Sequence, residues 1–221
     1  MITERYRTDY LGEYIIVESR WSGGKKSQTR EWVENPIENH HISGRACCIV
    51  DSIAQEKFDY TRLQRHRGGL LGNKKLQTYG TGRISQQMRL DFAVETNPVG
   101  LEEIISREYQ QNNIVYTTAR NVINHPGEFY LIPFTPRLSN WAMLPYLAAF
   151  DGHSEIFMLG YSKDTPSGSN GWIENVNSVI SAYTTSTFYC VGVKSNTPDL
   201  WFNNANFKTM DSLEFISYCD V

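Results

Sequence analysis

A chain of 221 residues, 40% hydrophobic and 20% charged, can bury one sizeable core, and it holds no repeat or low-complexity tract, so neither a solenoid nor a disordered protein is expected. The amino terminus, MITERYRTDY, is charged, and no apolar run approaches the roughly 18 residues that span a bilayer; the expectation is a soluble, cytoplasmic protein without signal peptide or membrane helix. The formal net charge of −3 is unevenly spread: residues 1–90 carry 15 Lys/Arg against 10 Asp/Glu, and residues 91–221 carry 6 against 14. A basic first half fits either a polyanionic partner or ordinary solvated charge. Cys47, Cys48, Cys190 and Cys219 form no CxxC pair and have no His at zinc spacing, so they read as reduced, buried thiols, and no metal is expected.

In chain order, residues 12–19 (GEYIIVES) and 30–37 (REWVENPI) are β-rich segments around the loop WSGGKKSQT, which predicts a hairpin with a basic tip at Lys25 and Lys26. Residues 45–50, in RACCIVDS, form an uninterrupted apolar run suited to a strand buried on both faces. Residues 58–67 have a polar, helical character. Strands are predicted at 90–95, 114–118, 129–133, 155–160 and 187–193, with helices at 100–111, 141–150 and 173–183 and a last short segment at 213–217. This alternation predicts an α/β fold: a single Rossmann-like domain over 1–221, in which 1–43 is a hairpin appendage and 44–221 a core of mostly parallel sheet, about six strands, with helices on both faces.

Parallel sheets bind ligands beyond the carboxyl ends of their strands, so the residues following each strand carry the functional reading. Asp51 and Ser52 follow the first core strand, Gly80, Thr81 and Gly82 lie in LQTYGTGRIS, and Thr96 and Asn97 follow LDFAVE. Small and hydrogen-bonding residues there let backbone N–H groups approach phosphate or ribose, although GTG alone is a weak signal and reads more readily as an ordinary turn. No GxGxxG follows the first strand and no GxxxxGK[ST] occurs, which disfavours dinucleotide and P-loop readings. The run RLQRHRGGLLGNKK places Arg62, Arg65, Arg67, Lys74 and Lys75 around paired glycines, as in a phosphate track or a solvated face. With Lys25 and Lys26 these residues form the candidate DNA-backbone surface. Trp172, after the strand at 155–160, is the candidate stacking platform for a base or sugar, against the alternative of a core position.

In RLSNWAMLPYLAAFDGHSEIFMLGYSKD, a polar loop at Ser139 and Asn140 enters an Ala-rich apolar helix; Gly152 breaks it, and a buried strand ends at Gly160 and Tyr161. This order resembles the sialyltransferase-like glycosyltransferases and related Rossmann-like proteins, in outline over residues 44–195 and closely over 139–164. The resemblance implies that the loop at Ser139 binds a nucleotide and that Tyr161 contacts the departing phosphate. Asn140 stands where that family usually has Gly, and Asp51-Ser52 where it has a Gly-Asn phosphate loop, which leaves the sugar nucleotide open. On phrases such as FYLIPF and AAFDGHSEIFMLGYS the chain also looks like small proteins of T-even-type phages, whose relatives attach glucose or arabinose to hydroxymethylcytosine in DNA.

The resemblance thus implies a nucleotide-sugar-dependent glycosyltransferase acting on modified cytosine in phage DNA, in the host cytoplasm. Its partners would be DNA and the nucleotide sugar, with Asp51, Ser52, Gly80, Gly82, Ser139, Asn140, Tyr161 and Trp172 around the donor. No cofactor beyond that donor substrate is expected, and no DxD motif calls for a metal. Transfer to a hydroxyl needs a general base, for which His125, Asp151, His153 and Asp164 are the candidates, the first three also fitting turn or helix-end roles. The competing expectation is a non-catalytic phage protein that binds a nucleotide or host factor on the same scaffold. A nuclease is disfavoured by the lack of clustered carboxylates.

Overall fold

A computed structural model describes residues 2–7, 14–33, 44–52, 58–64, 76–133, 137–164 and 171–219. The core strands are β4 (Arg45–Ile49), β5 (Gln77–Thr81), β6 (Phe92–Val94), β7 (Ile114–Thr117), β8 (Tyr130–Leu131), β9 (Glu155–Leu159), β10 (Thr187–Val191) and β11 (Phe207–Met210). They follow β1 (Ile2–Arg7), β2 (Tyr14–Ser22) and β3 (Lys25–Val33), and the spatial order is β11-β10-β9-β4-β5-β6-β7-β8-β1-β2-β3. All eight core strands are parallel, so the fold is α/β and Rossmann-like, with an N-terminal antiparallel hairpin, β2–β3. β1 joins that hairpin to the core: it is antiparallel to β2 and runs parallel to β8 through the pair Tyr6 and Leu131.

Helices cover both faces. Along β4, Ala46, Cys48 and Val50 face one side and Cys47 and Ile49 the other, the period-2 alternation of a strand buried twice. The first side packs on α4 (Asn140–Phe150) and α5 (Trp172–Ala182); the second packs on α1 (Thr61–Gln64), α2 (Pro98–Ser106), α3 (Ala119–Asn124) and α6 (Ser212–Cys219). α4 lies centrally, against β4, β5, β6 and β9, and eight of its eleven residues are buried, which explains its unbroken apolar sequence. The four cysteines are free and buried, and burial raises their thiol pKa values. Among the described residues no helix is long and apolar enough to cross a membrane.

The sheet is larger than the six strands expected. β5 and β11 are the additions to the core; the segment ending in Gly80 and Thr81 is a strand, and so Gly80 lies inside β5, not in a ligand loop. Gly80 permits a close approach there, since a Cβ on it would meet Leu90 Cδ1 at 2.7 Å. Residues 213–217 belong to the helix α6, whose Phe215 and Cys219 are buried one turn apart. The hairpin turn is shorter than expected, with Gly23 and Gly24 at φ +56° and +76° joining two nine-residue strands. The terminal segment Ile2–Arg7, read only as charged, is a strand.

Candidate functional site

Because the core strands are parallel, residues that follow them share one edge of the sheet and residues that precede them share the other. The strand order turns back between β4 and β9: from β4 the chain proceeds outward through β5 to β8, and from β9 outward through β10 to β11. The carboxyl ends of β4 and β9 therefore flank the switch point, where open α/β sheets form a crevice. Val50 N–H donates to Leu159 O at 3.1 Å and keeps the two ends paired up to its mouth. α4 begins at this edge, its N-cap Ser139 following β8.

Three hydroxyls lie along this edge. Ser52 follows β4, Thr81 ends β5, and Ser139 precedes α4; their oxygens are buried and have no hydrogen-bond partner among the described residues. Ser52 and Thr81 are each only 7% exposed. Strand alternation sets Thr81 on the α4 side, as it does Tyr79 two residues earlier. Ser139 does not cap α4 with its side chain; its N–H instead donates to Asn175 Oδ1 at 2.8 Å, and the first intrahelical bonds run from Ala142 and Met143 N–H to Ser139 O. The N–H groups of Asn140 and Trp141 thus stand at the positive end of the α4 dipole. A buried hydroxyl left without a partner is costly, so these three, unpaired among the described residues, are the candidate polar contacts of this edge.

Beside them Glu95, which follows β6, is 8% exposed. Its Oε1 accepts from Asn97 N–H at 2.9 Å and from Asn140 Nδ2 at 3.1 Å. A Cβ at Gly82 would meet its Oε2 at 2.7 Å, and one at Gly100 at 2.6 Å, so these glycines make room for the carboxyl. Burial raises the Glu95 pKa, opposed by the hydrogen bonds from Asn97, Asn140 and Thr96. Thr96 Oγ1 also donates to Asn140 Oδ1, so the start of α4 is tied to the end of β6. The sequence reading passed over Glu95; an acidic residue directly behind the apolar run of β6 was the signal available.

The remaining sequence-predicted residues divide between the two edges. Asp51 is at the carboxyl edge and pairs with Arg83 at 2.7 Å. Asp164 is there too, exposed, its N–H donating to Ser162 Oγ at 3.3 Å. Tyr161 is 3% exposed and its hydroxyl donates to Trp141 O at 2.7 Å. Pro145 lies inside α4 and lacks the N–H that would bond this carbonyl, so Tyr161 supplies the missing donor. Burial raises the Tyr161 pKa well above the usual phenol value. Trp172, 5% exposed, packs edge-on against Trp141 and Trp201 at 5.0 and 5.7 Å, in the core beside the crevice.

His125 and Asp151 precede β8 and β9 and so lie at the opposite, amino edge. His125 is half-buried, 3.8 Å from Glu102. Asp151 is fully buried at the far end of α4, where its Oδ2 accepts from Tyr79 OH at 2.5 Å; Tyr79 OH is also 3.1 Å from His153 Nε2. Ser139 and Asp151 cap the two ends of α4, twelve positions apart, so roughly 18 Å separate them. The hairpin tip with Lys25 and Lys26 also falls on the amino side, because Ser19 pairs with Ile2, where β1 begins, and residues 20–27 extend past it. Arg62 is exposed on α1; Arg65, Arg67, Lys74 and Lys75 lie outside the described residues. Among the described residues no group of three or more His, Cys, Asp or Glu is placed to hold a metal ion.

Comparison of the chain with protein-family models, curated proteins and solved structures finds no match.

Proposed function

We propose that the protein is a nucleotide-sugar-dependent glycosyltransferase whose donor lies in the switch-point crevice and whose acceptor is a hydroxyl on modified cytosine in DNA. The observation that carries the donor half is the set of buried hydroxyls of Ser52, Thr81 and Ser139, without partners among the described residues, at the edge where α4 begins. A diphosphate and a sugar are rich in acceptors and hydroxyls, and the positive end of α4 favours the charge that builds on the diphosphate as the glycosidic bond breaks. The base would take the proton of the acceptor hydroxyl as its oxygen bonds to the sugar carbon. Asp164, exposed at this edge, suits that role better than His125 or Asp151 at the other. The acceptor half rests on the resemblance of the sequence to phage DNA-modifying proteins, with which the basic balance of residues 1–90 agrees.

A second reading, a nucleotide-binding protein without chemistry, draws support from the engagement of the Tyr161 hydroxyl by Trp141 O. One experiment separates the two. Calorimetry with uridine, guanosine and cytidine diphosphates and their sugars should find one that binds, more weakly by roughly three- to tenfold in Ser139→Ala or Thr81→Val, each lost hydrogen bond being worth about 0.5–1.5 kcal/mol. Transfer of the labelled sugar to hydroxymethylated DNA should then fall at least a hundredfold in Asp164→Asn with binding unchanged. Binding without transfer in the unaltered protein selects the second reading; no binding by any of these nucleotides overturns both.

A further inference from the structure

The β2–β3 hairpin carries a surface that the crevice does not use. Residues 19–29, SRWSGGKKSQT, include Arg20, Lys25 and Lys26 and no acidic residue. Its side chains are exposed from Arg20 to Thr29. Trp21 is 56% exposed, and its cross-strand partner Lys26 holds its ammonium 5.1 Å from the ring centroid. An exposed indole offers a ring face for stacking, and the cation over one side fixes its orientation. Gly23 and Gly24 close the turn in left-handed conformations, so the tip is narrow, with Lys26 on the face that carries Trp21 and Lys25 on the other.

We infer that this tip is a single-strand nucleic-acid contact in which Trp21 stacks on an unpaired base while Lys25 and Lys26 take the flanking phosphates. The chemistry selects that partner. A flat ring with one cation against it and a second on the other face of the narrow tip, with serine, glutamine and threonine beside them, matches the alternation of base and phosphate along a strand. An anionic membrane is matched less well, since Trp21 is the one large apolar side chain between residues 19 and 29 and lipid insertion gains from several. By strand register the tip lies roughly 35 Å from Thr81, so it anchors the polymer away from the crevice. The inference rests on the nucleic-acid half of the proposed function and not on the donor half.

The test is fluorescence anisotropy of a labelled, unstructured DNA oligonucleotide and its duplex at several salt concentrations, with phosphatidylserine vesicles as a third probe. The expected result is preferential binding of the single strand, weakened roughly ten- to a hundredfold by Trp21→Ala at unchanged salt slope and largely kept by Trp21→Phe. The double variant Lys25→Ala/Lys26→Ala should lower the log–log slope by about 1.4. Both changes sit on an exposed tip, and an unchanged melting temperature verifies the fold. If the unaltered protein binds the strand and neither variant changes it, the inference falls while the DNA-acceptor reading stands. No oligonucleotide binding removes both, and a Trp21→Ala effect confined to vesicles replaces the nucleic acid by a membrane. Nucleotide-diphosphate calorimetry on the same variants reads the donor half separately.

Discussion

Glu95 shows how one side chain at the carboxyl edge links the fold to pH. Its raised pKa means that the folded state holds the proton more tightly than the unfolded chain. The stability that this contributes is full below the unfolded value of about 4.3 and is lost as pH rises through the folded value. Glu95→Gln keeps an oxygen for Asn97 N–H and Asn140 Nδ2 and removes the charge. Urea unfolding of both proteins from about pH 4 to 8 should therefore show the variant gaining on the parent as pH rises; parallel curves would mean that the carboxyl is not desolvated. Nothing within LDFAVE distinguishes a buried carboxyl from a solvated one, because Gly82, Gly100 and Asn140, which surround it, lie outside that segment. Gly80 is the reverse case. It reads as a turn residue, yet its reason is the Leu90 methyl groups ten positions on.

At the scale of elements, the βα alternation was legible wherever an apolar run of five or more residues was bounded by polar loops, as at β4, β9 and β10. β5 is interrupted by a glycine and β11 is only four residues long, with exposed Lys208 within it, so neither carries the pattern. α4 was legible as a buried helix, but the consequence of its Pro145 was not. The proline orphans Trp141 O, and Tyr161, from the far end of the next strand, supplies the donor. Tyr161→Phe should cost about 1–3 kcal/mol by leaving a buried carbonyl short of a partner. In a Pro145→Ala background the restored N–H can bond Trp141 O, and the same change should cost distinctly less. Equal costs in the two backgrounds, from a double-mutant cycle of denaturant midpoints, would show the two residues to be independent.

Across the whole molecule, the sequence placed His125, Asp151 and Ser139 alike in loops, and only the all-parallel sheet separates those before a strand from those after one. The same topology has a temporal consequence. Arg45 of β4 and Glu155 of β9 pair side by side at 2.8 Å, 110 positions apart in the chain. At a synthesis rate of about 5–20 residues per second, β4 leaves the ribosome roughly 5–20 s before the strand that covers its flank exists. During that interval an apolar run, RACCI, presents one row of backbone N–H and C=O groups with no strand beside it, the kind of edge on which chains aggregate. Nascent chains stalled after α4 should accordingly be cut by added protease, and those stalled once β10 has cleared the exit tunnel should yield a protected core. The central position of β4 thus makes it the first core strand to be synthesised and one of the last to be enclosed, which sets a demand for chaperone cover in the first half of translation.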